Sequence, residues 1–358
     1  MHSHDKAVIT FPQPMDNERT IPPDAARTIA IQVLVAYGAT AEHADKVSRH
    51  LIDSDMSGVR SHGILRLPQY VQSIIDGEID PVASPIVGRS IEGLINLDAA
   101  QCFGQVAGIE ATRLVEAAAQ RNGIGMVTVH EAGHTGRLGA YAEELGSSGY
   151  LAVVVCSGSS EGHRVAPIGG RQGRLATNPI AYAVPSNSDP IVGDFSTAAA
   201  PEGAIRVLRN LGVAAPQDTL LDAAGLATTN PNVLYEDPPG SILPLGGISR
   251  GHRGFALAIL VEALATLLAG DNTEDLARTG SNLAFLALSV DKEFRSRTDR
   301  LIDYIRHAEP TDPATPILLP GEREYRMRRQ STGVRVDDKT WHQVVTLASE
   351  RSIYLNWT

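Results

Sequence analysis

Residues 122–158 read NGIGMVTVHEAGHTGRLGAYAEELGSSGYLAVVVCSG, and this stretch decides the fold class. Two segments rich in β-branched residues, GMVTV and LAVVVC, predict buried strands. The apolar spacing over residues 138–145, between these two segments, predicts a helix. Further strands are expected at NPIAYAVP and PIVGDF, which follow in the chain. Strands interleaved with a helix in this way indicate a mixed α/β core.

The chain before this core is predicted to be mostly helical. Pro22 and Pro23 open one amphipathic segment, and Thr40 can cap the next one. Further elements expected before the core are a third helix over 67–75, strands within 84–98, and a long helix over 105–121 that Asn122 and Gly123 end.

The chain after the core alternates between loop-forming and regular segments. Residues 213–250 are rich in Pro, Gly, Asp and Asn, and we expect either a long surface loop or an arm. The remaining predicted elements are an apolar helix over 254–268, a strand at NLAFLALSV, a helix over 292–307 and a last amphipathic helix at DDKTWHQVVTLASE.

The composition excludes several classes of function. The 358 residues include 31 Lys and Arg against 41 Asp and Glu, and the resulting charge of −10 repels nucleic-acid backbones. The start of the chain lacks the pattern of an export signal, and the longest apolar segment carries Glu262 and is short for a bilayer span. Cys102 and Cys156 are too few for a disulfide framework. We therefore expect a cytoplasmic protein without nucleic-acid or membrane partners.

A dinucleotide site of the Rossmann type is not indicated. The glycine clusters at 133–139 and 169–173 do not have the spacing of the phosphate-binding fingerprint that follows the first strand of a doubly wound sheet. Either no dinucleotide binds, or it binds on a different fold.

The segment HEAGH formally matches a zinc hydrolase pattern. In that pattern two histidines on one helical face, here His130 and His134, hold the metal, while the intervening Glu131 activates water. The pattern requires a helix, but the segment follows the β-like run GMVTV and contains Gly133. Because the pattern matches but the required helix is not indicated, a zinc hydrolase is only an alternative hypothesis.

Two other places carry candidate catalytic side chains. His62 and Arg66 lie four residues apart in SHGILRLPQY, which places them on one face if the segment is helical. An imidazole can pass a proton near neutral pH, and a guanidinium can grip a carboxylate at two points. Asp194, at the end of the strand in IVGDFST, can orient an imidazole, hold a cofactor hydroxyl, or cap the following turn.

Taken in order, several motifs resemble the type II malate/L-lactate dehydrogenase family. That family includes reductases of diketogulonate and of piperideine-2-carboxylate, and ureidoglycolate dehydrogenase. The resemblance covers nearly the whole chain, and its markers are SGVRSHGILRLPQYV, NGIGMVTVHEAGHTGRLGAYAEELGSSGYL, LATNPIAYAVP, IVGDFSTAAAPEGAI, LPLGG, GHRGFALAILVEAL and LPGERE.

The resemblance implies an α/β fold that is not a Rossmann domain. A mixed-sheet domain over 81–291 would bind the dinucleotide, and helices from both termini, 1–80 plus 292–358, would form a second domain. A loop-rich arm at about 200–250 would help to form a homodimer. The implied activity is the NAD- or NADP-dependent reduction of a small 2-oxo acid or cyclic imine acid, or the reverse oxidation.

The resemblance also assigns site residues, and it implies no metal. His62 matches the family's proton-transferring histidine, Arg66 a neighbouring arginine suited to the substrate carboxylate, and Ser61 a residue that assists them. Asp194 falls on a family aspartate. The residues implied to contact the dinucleotide or to line its cleft are His134, Asn178, Ile191, Val192, Gly193, Asp194, Phe195, Ser196, Thr197, His252, Arg253, Gly321, Glu322 and Arg323.

The chain departs from the family pattern at three places. Arg253 stands where the family usually has lysine, and Cys156 and Ser157 stand where it has a Thr-Asn pair. The stretch AAAPEGAIRVLRNLG also differs from the usual pattern. Arginine keeps the charge but presents a wider fork, and the change at 156–157 removes an amide from the expected cleft. A relative that binds a nucleotide or an acid without turnover is the first alternative hypothesis.

Overall fold

The structure is a computed structural model that describes residues 18–353, except 92, 160, 161, 275–279, 313 and 314. The ends of the predicted helical domain, residues 1–17 and 354–358, lie outside the described residues. Within the described part of the chain, no helix is long and apolar enough to cross a bilayer.

A seven-stranded mixed sheet forms the centre of the molecule. Among its neighbouring described strands, Leu94–Asp98 and Ile124–Ala132 are parallel, and the other pairs are antiparallel. This arrangement confirms the predicted mixed α/β core. The strand order is β2 (Ile86–Ile91), β3 (Leu94–Asp98), β4 (Ile124–Ala132), β11 (Ser281–Ser289), β5 (Tyr150–Gly158), β6 (Ile180–Val184), β7 (Ile191–Phe195).

Most of the predicted helices are present at the expected places. Thr40 Oγ1 accepts a hydrogen bond of 3.1 Å from the backbone N–H of His43, as expected for the cap of the second helix. The predicted helices are α1 (Pro23–Ala36), α2 (Ala41–Met56), α3 (Leu67–Ile75), α4 (Gly104–Asn122), α5 (Leu138–Ser148), α7 (Gly247–Val261), α8 (Lys292–Arg306) and α10 (Asp338–Glu350). The helix expected over 254–268 begins earlier, as α7, and continues as a π-helical segment, Glu262–Leu267.

Two elements near the ends of the chain pair with each other. Strand β1 (Glu18–Ile21) runs antiparallel to β12 (Val334–Asp337), and helix α9 (Glu322–Gln330) precedes β12. None of these three elements was predicted. The two strands have only four residues each, which are too few to show a clear alternation. The main hydrophobic cluster joins the N-terminal helices, the sheet and α10 in one core.

Residues 200–250 are more regular than the predicted loop. They contain α6 (Glu202–Leu211) and a three-stranded sheet in the order β10 (Ser241–Ile242), β8 (Leu220–Leu221), β9 (Ala227–Thr228). Their apolar side chains form a second cluster around Ile205, Leu220 and Leu234. Strands of two residues carry no readable periodicity, which is why the composition suggested only a loop or an arm.

Candidate active site

His62 lies in one of two short 3₁₀ turns that join α2 to α3. The turns are Arg60–His62 and Ile64–Arg66, so the expectation of a helical face carrying His62 and Arg66 is corrected. The buried Asp55 carboxylate accepts a hydrogen bond of 2.7 Å from the backbone N–H of Ile64. A Cβ atom at Gly63 would overlap the Asp55 carboxylate, so only glycine allows this close contact. Gly63 separates the two 3₁₀ turns.

Two stacked imidazoles define the candidate site. The rings of His62 and His134 lie 5.6 Å apart between centroids and are inclined by 20°. A hydrogen bond of 2.9 Å joins Ser61 Oγ to His62 Nδ1. Nε2 of His62 has no hydrogen-bond partner within the described part of the chain, so it is available to a ligand.

The second imidazole is oriented by a buried hydrogen-bond chain. Gln105 Nε2 donates to the Tyr70 hydroxyl at 2.6 Å, and this hydroxyl lies 2.9 Å from Nδ1 of His134. Because the Gly136 N–H also donates to that Nδ1 at 3.3 Å, Nδ1 acts as an acceptor. The neutral His134 ring then carries its proton on Nε2, which has no partner among the side chains described.

The electrostatic surroundings keep the imidazoles neutral. Burial, and then the charges of Arg66 and Arg137, lower the pKa of His62 to about 3. Burial, Arg66 and His62 likewise hold the pKa of His134 well below its usual value. Burial and Arg137 lower the pKa of His50 to about 3. This group of imidazole and guanidinium side chains therefore disfavours a further positive charge and favours the binding of an anion.

Arg66 faces the same space with unused hydrogen-bond donors. Its Nε donates to the Ser61 carbonyl at 2.7 Å, and its Nη1 donates to Gln69 Oε1 at 2.6 Å. Its Nη2 has no partner among the described residues and points toward Gly203 of α6. Three of the five guanidinium N–H groups remain for a carboxylate.

Asp194 lies at the start of α5 instead of beside a catalytic imidazole. Its Oδ2 accepts a hydrogen bond of 2.7 Å from the Gly139 N–H, and burial raises the pKa of its carboxyl. Its hydrogen bonds within the described chain include none to histidine. The hypothesis that Asp194 orients an imidazole is therefore corrected: the carboxylate holds the helix start against β7.

The segments predicted to contact the dinucleotide converge along β7. The Val192 N–H donates to the Pro320 carbonyl at 3.1 Å, and Gly321 packs directly on Val192 with φ +89°, where a Cβ would lie 3.1 Å from the Val192 backbone. Beyond the strand, the carbonyl of Thr197 accepts from the Leu245 N–H at 2.8 Å, two residues before α7 begins. The residues 191–197 thus connect the Gly321 loop to the N-terminus of α7.

Three basic side chains lie on the first two turns of α7. Arg250, His252 and Arg253 are exposed, and none of them has a side-chain hydrogen bond or ion pair among the described residues. The first turn of α7 carries no acidic residue, and no side chain in the described part of the chain caps it. Free N–H groups at a helix start beside unpaired cations suit a phosphate group.

The remaining residues predicted to contact the dinucleotide, Glu322, Arg323 and Asn178, differ in how exposed they are. Glu322 accepts a hydrogen bond of 2.9 Å from the Leu319 N–H and pairs with Arg306, while Arg323 is exposed on α9. Asn178 is fully buried, and its Nδ2 donates to Glu262 Oε1 at 2.8 Å. The Asn178 Oδ1 is buried without a partner among the described atoms.

The two departures on β5 face opposite sides of the sheet. Cys156 Sγ lies 3.8 Å from Thr135 Oγ1, next to His134, whereas Ser157 Oγ lies 2.6 Å from Thr266 Oγ1 in the π-helical segment. Neighbouring residues of a strand alternate in this way. Of the two replacements, Cys156 is the one beside the imidazole cluster.

The zinc hydrolase hypothesis fails on secondary structure. His130 and Glu131 belong to strand β4, so the required helix is absent from this described segment. His134 lies beyond the strand, and its Nδ1 is engaged by Tyr70. Sequence reasoning missed Tyr70, Gln105 and the buried Arg137, because no local pattern separates them from ordinary core or helix residues.

Comparison with known proteins gives a consistent result. A sequence model of the family described as malate/L-lactate dehydrogenase matches residues 21–345. The chain is 31% identical to L-sulfolactate dehydrogenase of Methanothermobacter thermautotrophicus, over 94% of this chain and 98% of that protein.

Two solved structures share the fold. Sulfolactate dehydrogenase from Methanocaldococcus jannaschii superposes with a TM-score of 0.83 and 27% identity, over 94% of this chain and 98% of that one. The Δ1-piperideine-2-carboxylate reductase from Pseudomonas syringae superposes with a TM-score of 0.81 and 26% identity, over 92% of this chain and 100% of that one. The predicted non-Rossmann fold is confirmed.

Proposed function

Because this chain belongs to the malate/L-lactate dehydrogenase family, we propose that it transfers a hydride between NAD(P)H and a small 2-oxo acid or cyclic imine acid. The supporting observation is the cluster of His62, His134 and Arg66, in which neutral imidazoles face unused guanidinium donors. Such a site attracts the carboxylate of the acid and holds a proton carrier next to it.

His62 is the proposed proton carrier. The nicotinamide ring would supply or accept the hydride. During reduction, Nε2 of a protonated His62 gives a proton to the oxygen or nitrogen at the 2-position, while Ser61 Oγ accepts from Nδ1. During oxidation, the neutral ring takes the proton back at Nε2. Arg66 holds the substrate carboxylate, and the Nε2–H of His134 offers a second donor.

The dinucleotide is proposed to lie along β7. The free cations Arg250, His252 and Arg253, together with the start of α7, suit its phosphates. The buried, unpartnered Oδ1 of Asn178 suits an amide donor at the same end of β7, where the Thr177 carbonyl accepts from the Thr197 N–H. Gly321, Glu322 and Arg323 would contribute a third contact from α9.

We extend the proposal to assembly and location. The helices of 1–80 and 292–358 would act as one domain against the dinucleotide domain at 81–291. The apolar side chains of Val207, Leu211 and Val213 are exposed within the 200–250 region, which supports its use as a homodimer contact. Neither Cys102 nor Cys156 forms a disulfide bond, which suits the reducing conditions of the cytoplasm.

The activity is tested by following NADH and NADPH absorbance with a panel of acids. The panel contains pyruvate, oxaloacetate, phenylpyruvate, sulfopyruvate, diketogulonate and piperideine-2-carboxylate. We expect the protein to catalyse the oxidation of NADH or NADPH by at least one of these acids. The dinucleotide that is oxidised faster identifies the cofactor. Binding of NADH or NADPH without oxidation across the whole panel would instead support the non-catalytic relative.

Arg66→Met is expected to weaken substrate binding. Removing a charge-assisted carboxylate contact costs about 1.5–3 kcal/mol, which corresponds to a roughly 10–150-fold rise in KM for the acid. The affinity for the dinucleotide should change little. Steady-state kinetics measure both effects, and Arg49→Met, an exposed arginine on α2, is the matched control. Equal KM values for the Arg66 and Arg49 variants would show that Arg66 does not bind the substrate carboxylate.

Binding of a 2-oxo acid mimic should be coupled to proton uptake. The pKa of His62 is about 3 without ligand, so the ring is neutral at pH 6–7, and a nearby carboxylate raises this pKa. The affinity of oxamate for the dinucleotide complex should therefore increase as pH falls, by up to about tenfold per pH unit. Calorimetry in buffers of different ionisation enthalpy measures the uptake. A pH-independent affinity, or an unchanged uptake in His62→Asn, would contradict this coupling.

A further inference from the structure

A group of metal-ligating side chains lies outside the site described above. Asp98 ends β3 and His130 lies near the end of β4, and the parallel register of the two strands places these residues side by side. Glu131 follows His130. One ligand atom from each of the three residues lies within 4.8 Å of the others.

The backbone conformation of Glu131 explains how His130 and Glu131, which are consecutive, can both belong to this group of metal-ligating side chains. Neighbours on a regular strand point to opposite faces, but Glu131 has φ +56°, which breaks the alternation. The carbonyls of His130 and Glu131 accept hydrogen bonds of 3.0 Å from the N–H groups of Ala99 and Gln101. A non-glycine residue in this region costs about 1–3 kcal/mol, so the surrounding structure holds it there.

The three side chains have free ligand atoms. Asp98 Oδ1 accepts from the Ala100 N–H at 2.7 Å, and its Oδ2 has no hydrogen-bond partner among the described residues. The imidazole of His130 and the carboxylate of Glu131 make no hydrogen bond or ion pair with any described side chain. Two carboxylates thus stand close together beside an imidazole, without a cation among the described side chains, and a bound metal cation would relieve their repulsion.

We propose that Asp98, His130 and Glu131 bind one divalent transition-metal ion, with Zn²⁺ as the preferred ion. One imidazole and two carboxylates are a donor set that Zn²⁺ accepts, with water completing the coordination. Ligand atoms around a tetrahedral zinc ion lie about 3.3 Å apart, so a shift of roughly 1.5 Å in the exposed Glu131 side chain closes the site. This differs from the hydrolase pattern, because His134 is not a ligand.

The proposed metal ion would stabilise one wall of the active site. The metal would tie the end of β3 to the end of β4, immediately before Gly133 and His134. Because a ligand that binds only the folded chain raises its stability, Zn²⁺ should raise the thermal midpoint.

The test measures Zn²⁺ binding to untagged chain after removal of metals with EDTA. His2 and His4, which lie outside the described residues, are replaced by alanine throughout so that they cannot bind the ion. Calorimetry should find one Zn²⁺ per chain, and His130→Asn should weaken this binding at least about tenfold. His342→Asn, on the exposed face of α10, is the matched control and should bind as the parent does.

A second variant separates loss of the metal from loss of the fold. Asparagine tolerates positive φ better than glutamate, so Glu131→Asn should fold normally while it loses the metal. Zn²⁺ should raise the thermal midpoint of the parent and of His342→Asn but not of Glu131→Asn. The proposal is overturned if the parent binds no stoichiometric Zn²⁺, or if His130→Asn and Glu131→Asn bind it as tightly as the parent.

Discussion

His62→Asn is expected to lower kcat by a factor of about 10²–10⁴, because general acid–base catalysis contributes that much to proton transfer. Asparagine keeps a polar side chain of similar size next to Ser61 but cannot carry the proton. The dissociation constant of NADH or NADPH should stay nearly unchanged, since the proposed dinucleotide contacts lie along β7 and α7. Stopped-flow kinetics and a fluorescence titration of the dinucleotide measure the two quantities.

The matched control for this variant is His342→Asn, which replaces an exposed histidine of α10. It should keep the parent kcat. Thermal midpoints of both variants show whether the fold is intact. If His62→Asn retains the parent kcat while folded, the proton carrier is another group and the assignment of His62 is wrong.

Arg137→Met is expected to destabilise the fold by about 3 kcal/mol, because it removes a buried guanidinium that is a counter-ion of the half-buried Asp53 and Glu143 carboxylates. Arg137 is only 3% exposed, and its Nη2 lies 3.1 Å from both Asp53 and Glu143. Arg328 of α9 also pairs with these two carboxylates, at 3.0 and 2.5 Å. The network thus links α2, α5 and α9, which come from distant parts of the chain.

Chemical denaturation measures this loss. Arg113→Met is the control, because Arg113 forms a similar pair with Glu110 but is 64% exposed on the side chain. Exposed pairs contribute about 0–1 kcal/mol, so this variant should remain close to the parent. Should the two variants lose equal stability, the Arg137 network would not be a link between the helices of the termini and the centre.

The central fold was predictable because its strands are long and rich in β-branched residues. The segments GMVTV and LAVVVC lie within strands of the mixed sheet, and so does NLAFLALSV except for its last residue, Val290. The short strands β1, β12 and β8–β10 were missed, since two to four residues show no period. Helix α6 was missed as well, because its neighbourhood is rich in glycine and proline and obscures the apolar spacing of EGAIRVLRNL.

The site was predictable only in part, and mainly through the resemblance. His62, Ser61 and His134 do lie together, but the residues that orient them are distant in sequence. Gln105 and Tyr70 are 35 positions apart, and Arg137 and Asp53 are 84 apart. Such contacts form only when the fold is complete. For the same reason, the placement of Asp194 at the start of α5 could not be read from the strand that carries it.

The most direct test of the account follows the hydride itself. The chain is mixed with an acid from the panel and with NADH or NADPH that carries deuterium at both C4 positions of the nicotinamide ring, and the product is examined by mass spectrometry. The account predicts one deuterium at the 2-position of the product, formed far more slowly by His62→Asn. A product that lacks deuterium, or no consumption of either dinucleotide with any acid of the panel, would contradict it.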